Sequence, residues 1–192
     1  MNKNLTDYIK HYKSFLKNDM CEKTILELNE IDNNLWYQHE FYNPTTNTYG
    51  KKSGDQELSI LFSKNISTKE IIMKEIWNGI YNYIVDLKFS WFDSWKAYSE
   101  IRFNKYSENT KMAQHCDHIH TLFDGKERGI PILSVLGILN DDYEGGEFIM
   151  FENEEIKLNK GDLLIFPSIF LYPHKVEPVK KGVRYSFISW VW

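Results

Sequence analysis

The run ILSVLGILNDDYEGGEFIMFENEEIKLNKGDLLIFP, residues 132–167, decides the fold. Its apolar residues fall into short stretches, 132–139, 147–151, 156–158 and 163–166, each too brief for a helix and rich in residues that suit a pleated surface. Turn chemistry separates them, with Glu144-Gly145-Gly146 and Asn159-Lys160-Gly161-Asp162 at the spacing of a sandwich, barrel or jelly roll. Working outward, residues 97–106 and 183–191 read as further strands, so everything after Phe89 is predicted to be an all-β core.

The first half has a different period. Asp19 followed by Glu22 reads as a helix start, with Cys21, Ile25 and Leu28 on one face. Ser67-Thr68-Lys69-Glu70 fits a capping box, and Ile72, Ile76, Ile80, Tyr83 or Ile84, and Leu87 then recur at helical spacing. Between the two helices, Leu35 to Tyr42 and Glu57 to Phe62 read as strands, and residues 43–55 as a polar loop. No repeat or low-complexity linker divides the 192 residues, which predicts one domain over 1–192, with 1–90 supporting a core at 91–192.

Composition narrows the function. Lys+Arg 23 against Asp+Glu 27 leaves a net charge of -4, which provides no basic field for nucleic acid or an anionic membrane. No run approaches a membrane span, and the N-terminus lacks the apolar stretch of a signal peptide, so a cytoplasmic location is expected. Two cysteines, Cys21 and Cys116, are too few for a disulfide framework. Nothing in the pattern marks a particular oligomeric state. Twelve Tyr, twelve Phe and six Trp supply large rings for a core. Arginine is scarce: Arg102, Arg128 and Arg184 stand against twenty lysines, so each occupies a position where a planar fork can matter.

The stretch Gln114-His115-Cys116-Asp117-His118 carries the chemistry. In an extended strand His115 and Asp117 share a face while Cys116 points away, giving two adjacent metal ligands. His174 offers a third. Two histidines and a carboxylate on one face of an octahedron are the arrangement of non-haem Fe(II) oxygenases. On the same parity, His118 and His120 fall on the Cys116 face and are expected at a rim, and Cys116 as a packed thiol. Arg102, Asn104 and Tyr106 alternate with Ile101 and Phe103, so they line a substrate mouth or face solvent; Trp190 shares the parity of Arg184 and walls a pocket or fills the core.

Downstream of His174, the sequence Lys175-Val176-Glu177-Pro178-Val179-Lys180-Lys181-Gly182-Val183-Arg184-Tyr185-Ser186 resembles the iron(II)/2-oxoglutarate dioxygenases, most closely their prolyl-4-hydroxylase-like branch. The resemblance spans about the last hundred residues and includes Tyr106, Ile138-Leu139-Asn140, Glu144 to Phe148, Gly161 to Ser168 and Gly182 to Trp190. Asn109 stands where relatives often carry glycine. The resemblance implies Fe(II) on His115, Asp117 and His174. It implies that Arg184, ten positions after His174, binds the far carboxylate of 2-oxoglutarate with help from Tyr106 and Ser186, and that O2 is the oxidant.

The expected fold is therefore mainly β with N-terminal helices, a double-stranded β-helix (jelly roll) buttressed by helices on one face. The expected activity is hydroxylation of an aliphatic carbon, with 2-oxoglutarate split to succinate and CO2. A peptide, protein or small-molecule substrate is expected, proline first by resemblance. A nucleobase oxidative demethylase and a catalytically silent jelly-roll binding module are the alternatives. Against the first, the closing strand carries Arg184, Ser186, Ile188 and Trp190, without the second terminal arginine of the nucleobase-repair relatives.

Overall fold

The computed structural model describes residues 3–43, 45–62, 65–90, 95, 97–117 and 131–192. The first half contributes β1 (Lys10–Tyr12), α1 (Asn18–Glu30), β2 (Tyr37–Gln38), β3 (Phe41–Asn43), β4 (Thr48–Gly50), β5 (Ser59–Leu61) and α2 (Lys69–Leu87). After it come β6 (Arg102–Tyr106), β7 (Met112–His115), β8 (Leu133–Ile138), β9 (Glu144–Gly145), β10 (Phe148–Met150) and β11 (Glu154–Ile156). The chain closes with β12 (Leu163–Pro167), β13 (His174–Val176), β14 (Val179–Lys181) and β15 (Arg184–Val191). The protein is thus mainly β with two helices. Among the described residues no helix is long and apolar enough to cross a membrane.

Both helices bury the residues their periodicity marks: Cys21 and Leu28 on α1, and Ile72, Ile76, Ile80, Tyr83 and Leu87 on α2. The capping box at Ser67 does not form. Thr68 is the N-cap with helical backbone, and its hydroxyl pairs with Thr24 of α1 at 2.7 Å, while the Ser67 N–H donates to Glu27 at 2.6 Å. Packing against α1 thus supplies from outside the acceptor that the local motif would have supplied from within.

The predicted strand at Leu35 to Tyr42 starts only at Tyr37, because Asn33–Leu35 closes a short 3-10 turn capped by the Asp32 carboxylate, and it is interrupted at residues 39–40 between β2 and β3. Part of the predicted 43–55 loop is instead a hairpin, β3 against β4, with Tyr42 opposite Tyr49. Asn43 Oδ1 accepts from the Thr45 N–H and Asn47 takes a left-handed φ of 52°, the local chemistry that turns the chain. The 156–158 strand lies earlier, at β11, since Phe151 turns at a φ of 55° and returns Glu154–Ile156 against β10.

Two antiparallel sheets face each other. The larger runs β1-β12-β8-β15-β6-β5-β2 and the smaller β11-β10-β13-β7. Strands from the first half therefore complete both ends of the larger sheet. One apolar cluster lies between the sheets, with Leu136, Leu164, Phe166 and Ile188 from the larger and Met112, Phe148, Met150 and Val176 from the smaller. Another lies on the opposite face of the larger sheet, where Val135, Leu163, Ile165 and Phe187 meet Ile72, Ile76 and Ile80 of α2. Buried on both faces, β8 has no exposed residue, which is why it reads as a nearly continuous apolar run.

The alternation sends the odd residues of β15 toward the helices and Arg184, Ser186, Ile188 and Trp190 toward the smaller sheet. On β6, Phe103 joins the helical side, and Arg102, Asn104 and Tyr106 take the inner side, all three buried. Their alternation with Ile101 and Phe103 is thus an inner face and not a solvent face. Gly137 of β8 pairs with Phe187, and a Cβ there would lie 2.0 Å from the Phe187 ring. Gly137→Ala is therefore expected to destabilise the fold by about 1–3 kcal/mol through overpacking, read by chemical denaturation. An unchanged denaturation midpoint would show that Phe187 has room to move.

Candidate metal centre

Antiparallel pairing of β7 with β13 places His115 directly opposite His174. Their ring centroids are 4.4 Å apart. Asp117 lies two residues on, past the end of β7 and in the turn that follows, so strand parity alone does not set its position. Side-chain bonds do. Trp190 Nε1 donates to Asp117 Oδ2 at 3.1 Å, and the Ser134 hydroxyl donates to the same oxygen. The other oxygen, Oδ1, is left to face His115 Nε2 at 3.2 Å and His174 Nε2 at 3.6 Å.

Each imidazole is oriented by its far nitrogen. His115 Nδ1 lies 2.8 Å from the Ala113 carbonyl and His174 Nδ1 3.2 Å from the Tyr172 carbonyl. Donation from Nδ1–H in both rings leaves both Nε2 lone pairs directed inward, the tautomer a metal requires. One atom from each of the three side chains falls within 4.8 Å of the others, a group that can hold a metal ion. All three side chains are at most 11% exposed.

Electrostatics suit the same purpose. Burial, reinforced by the neighbouring His115 ring, pushes His174 down to about 4, so its imidazole is neutral at physiological pH. Burial raises the Asp117 carboxyl, but the two histidines and the Ser134 hydroxyl outweigh it and hold the group below the ordinary carboxylate range. Burial and the Asp117 charge raise the Cys116 thiol, which lies 3.5 Å from the Phe170 carbonyl and, half-buried, borders the cleft instead of being packed away.

A second buried polar group lies on the strands β6 and β15. Register pairs Arg184 with Tyr106, and the guanidinium sits 4.9 Å from the Tyr106 ring. Arg184 is 1% exposed; Nη1 donates to the Ser186 hydroxyl at 3.1 Å, while Nε and Nη2 are buried with no hydrogen-bond partner. Two buried, unpaired donors on one planar fork are costly unless an acceptor is delivered to them, and a carboxylate is the acceptor that matches their geometry. Burial also raises the Tyr106 phenol, keeping its hydroxyl a proton donor. The donor set therefore fits both groups: hard and borderline ligands for Fe(II), and an unpaired guanidinium for a dicarboxylate.

Asn109, in the loop after Tyr106, has a φ of 65°, and its N–H donates to the Val179 carbonyl at 2.8 Å. Asparagine tolerates this left-handed turn, so the glycine-type conformation is kept without glycine. Sequence reading overlooked Ser134, although a lone serine in the run Leu133–Ile138 marks it, and it left Trp190 undecided between wall and core. Trp190 walls the site. His118, His120 and the segment 118–130 lie outside the described residues.

Residues 101–192 match the model of the 2OG-Fe(II) oxygenase superfamily. A PKHD-type hydroxylase of Aliarcobacter butzleri is 38% identical over 96 residues, covering 46% of this chain and 41% of that relative. The match thus spans less than half of either protein. Among solved structures, a viral collagen prolyl hydroxylase of Paramecium Bursaria Chlorella virus-1, in complex with 2OG, aligns with a TM-score of 0.66 at 15% identity over 96% of this chain and 94% of that one. A prolyl hydroxylase of Trichoplax adhaerens, in complex with a hypoxia inducible factor oxygen degradation domain peptide fragment, aligns with a TM-score of 0.70 at 16% identity over 97% and 84%. These likenesses place the fold with the prolyl hydroxylase jelly rolls.

If the Trp190 and Ser134 bonds fix the free oxygen of Asp117, Trp190→Phe keeps the ring and removes one of them. Fe(II) affinity is expected to fall about 10–100-fold, measured by anaerobic titration, with the melting temperature little changed. Wild-type affinity in the double variant Ser134→Ala, Trp190→Phe would show that these bonds do not orient the ligand.

Proposed function

From the premise that residues 101–192 are a 2OG-Fe(II) oxygenase domain of the prolyl-4-hydroxylase-like kind, we propose that this protein hydroxylates an aliphatic carbon of a peptide or protein, proline first. The observation that carries the reading is the pairing of a buried His115, Asp117, His174 triad with the unpaired guanidinium nitrogens of Arg184. His115 and His174 present Nε2 to Fe(II), and Asp117 presents the one oxygen that Trp190 and Ser134 leave free. When bound, iron and 2-oxoglutarate supply the O2 chemistry that ends in succinate, CO2 and a hydroxylated carbon.

Arg184 grips the far carboxylate of 2-oxoglutarate through Nε and Nη2, and Ser186, accepting from Nη1, fixes the plane of the fork. Tyr106 supplies a hydroxyl to the same carboxylate. Phe148 and Phe166 stand 5.5 and 5.0 Å from the His174 ring and keep water from that side of the metal. The substrate enters from a cleft of about 650 Å³ that borders His115 and Asp117 and is walled by Phe41, Tyr49 and Trp190. That size suits a few residues of peptide.

In this reading the chain acts as one unit in the cytoplasm. Residues 1–90 support the catalytic jelly roll, with α2 as the buttress of the larger sheet: Gly79 lets the helix approach so closely that a Cβ there would lie 2.4 Å from Leu163. A nucleobase substrate is not favoured, because Ile188, which fills the inner cluster, and Trp190, which is committed to Asp117, stand where the nucleobase-repair relatives carry threonine and a second arginine.

The test is oxygen transfer. Supplied with Fe(II), 2-oxoglutarate and air, the protein is expected to form succinate and to add one oxygen to proline-containing peptides, read by mass spectrometry. Demethylation of methylated single-stranded oligonucleotides, with every peptide silent, would overturn the substrate class. In the same assay Arg184→Lys is expected to raise the KM for 2-oxoglutarate by about one to two decades, since a charge-assisted bond is worth about 1.5–3 kcal/mol, while iron content stays level. An unaltered KM in Arg184→Ala would remove Arg184 from the clamp.

A further inference from the structure

A second guanidinium belongs to the same interior. Arg102 opens β6 and is 8% exposed, four residues before Tyr106 on the same strand face. Its Nε donates to Asn104 Oδ1 at 3.1 Å, and its plane lies against the Trp190 ring, 5.0 Å from the centroid. The fork is thereby fixed in position. Among the described residues neither Nη group has a hydrogen-bond partner, and no carboxylate lies within ion-pair distance.

Asp117 carries the carboxylate that faces the same chamber, but it makes no ion pair with Arg102: Oδ2 accepts from Trp190 and Ser134, and Oδ1 is turned toward the two histidines and the metal position. Arg102 is a buried cation whose two free donors face the space between the triad and the cleft, since it borders both the inner chamber and the cleft that reaches His115, Asp117 and Trp190. The cleft adds to the charge: Lys51 and Lys52 line it, with Glu40 and Asp117 its only carboxylates among the described lining residues.

The two arginines serve different anions. β6 pairs with β15 so that Arg102 lies opposite Ile188 while Tyr106 lies opposite Arg184. Four residues of strand set the two backbone positions about 13 Å apart, and Arg102 lines the cleft that reaches His115 and Asp117 whereas Arg184 does not. A 2-oxoglutarate anchored on Arg184 leaves Arg102 for the second substrate.

We propose that Arg102 is a specificity residue that receives a carboxylate of the substrate, so that the substrate is an acid: a free amino acid or peptide C-terminus, or a peptide with an acidic side chain beside the hydroxylated carbon. This deepens the hydroxylase reading and rests on it. The carboxylate enters along the lysine-lined cleft, and the two Nη groups take it in a fork-to-fork contact. The adjoining aliphatic carbon is then held near the metal face that His115, Asp117 and His174 leave open. Trp190 is shared by the two halves of this arrangement, with its ring beneath Arg102 and its N–H on Asp117.

The experiment is calorimetry without oxygen on the Fe(II)-loaded protein holding 2-oxoglutarate. The probes are matched pairs: N-acetylproline and its amide, Gly-Pro tripeptides with free and amidated C-termini, and amidated tripeptides with Glu or Gln beside proline. At least one acid is expected to bind about tenfold or more tightly than its neutral partner, and Arg102→Gln to erase that preference. Which pair shows it tells a terminal carboxylate from a side-chain one. Equal binding within every pair, absence of binding included, overturns the proposal on the wild-type protein alone. So does Arg102→Gln weakening 2-oxoglutarate more than it weakens the acid probe, which would give Arg102 to the co-substrate. If the wild-type protein takes up no 2-oxoglutarate, it is the hydroxylase reading that fails.

Discussion

Asp117 is a carboxylate held in the interior by four groups that converge from four places in the chain: His115 beside it, Ser134 on β8, His174 on β13 and Trp190 on β15. Burying a charge costs far more than burying any apolar group repays, so the carboxylate relies on the Ser134 and Trp190 donors at Oδ2 and leaves Oδ1 as the place for a cation. That requirement ties the two sheets together. β7 must pair with β13 to bring the histidines into register, and β8 and β15 must lie side by side to aim a serine and a tryptophan at one oxygen.

The same geometry explains why so much polar chemistry is tolerated between two apolar layers. On β15 the odd residues face the helical layer, with the Tyr185 hydroxyl donating to Asn29 of α1, while the inner face carries Arg184, Ser186, Ile188 and Trp190. On β6 the inner face is Arg102, Asn104 and Tyr106. One layer of the protein is an ordinary hydrophobic core, which supplies stability. The other, between the sheets, is an apolar cluster into which two guanidinium groups are set, each fixed by a single side-chain hydrogen bond.

Much of this was legible from the sequence, for identifiable reasons. Strands buried on both faces announce themselves as apolar runs, which is why β8, β12 and β15 were placed within a residue or two, and the 3.6-residue stripe of α2 is equally plain. The short strands β7, β13 and β14 are half polar and three or four residues long, so their pairing partners, not their composition, make them strands. The capping box at Ser67 fails for the same reason in reverse, since Glu27 and Thr24 on another helix satisfy the groups it would have satisfied. Strand parity led to His115 and Asp117 by an argument that is only half right. Asp117 lies beyond β7, and it is the long-range bonds from Ser134 and Trp190 that set it. No local pattern can show a contact between residues 73 positions apart.

The central claim is that the triad and Arg184 are two ends of one site, bridged by a single small dicarboxylate. Equilibrium binding of 2-oxoglutarate in the absence of oxygen, measured with and without Fe(II), tests it most directly. The account predicts tight binding that needs both ends: strongly weakened when the metal is withheld, and strongly weakened again in Arg184→Ala even with the metal present. Equal affinity with and without Fe(II), or an Arg184→Ala protein that binds as wild type does, would contradict it.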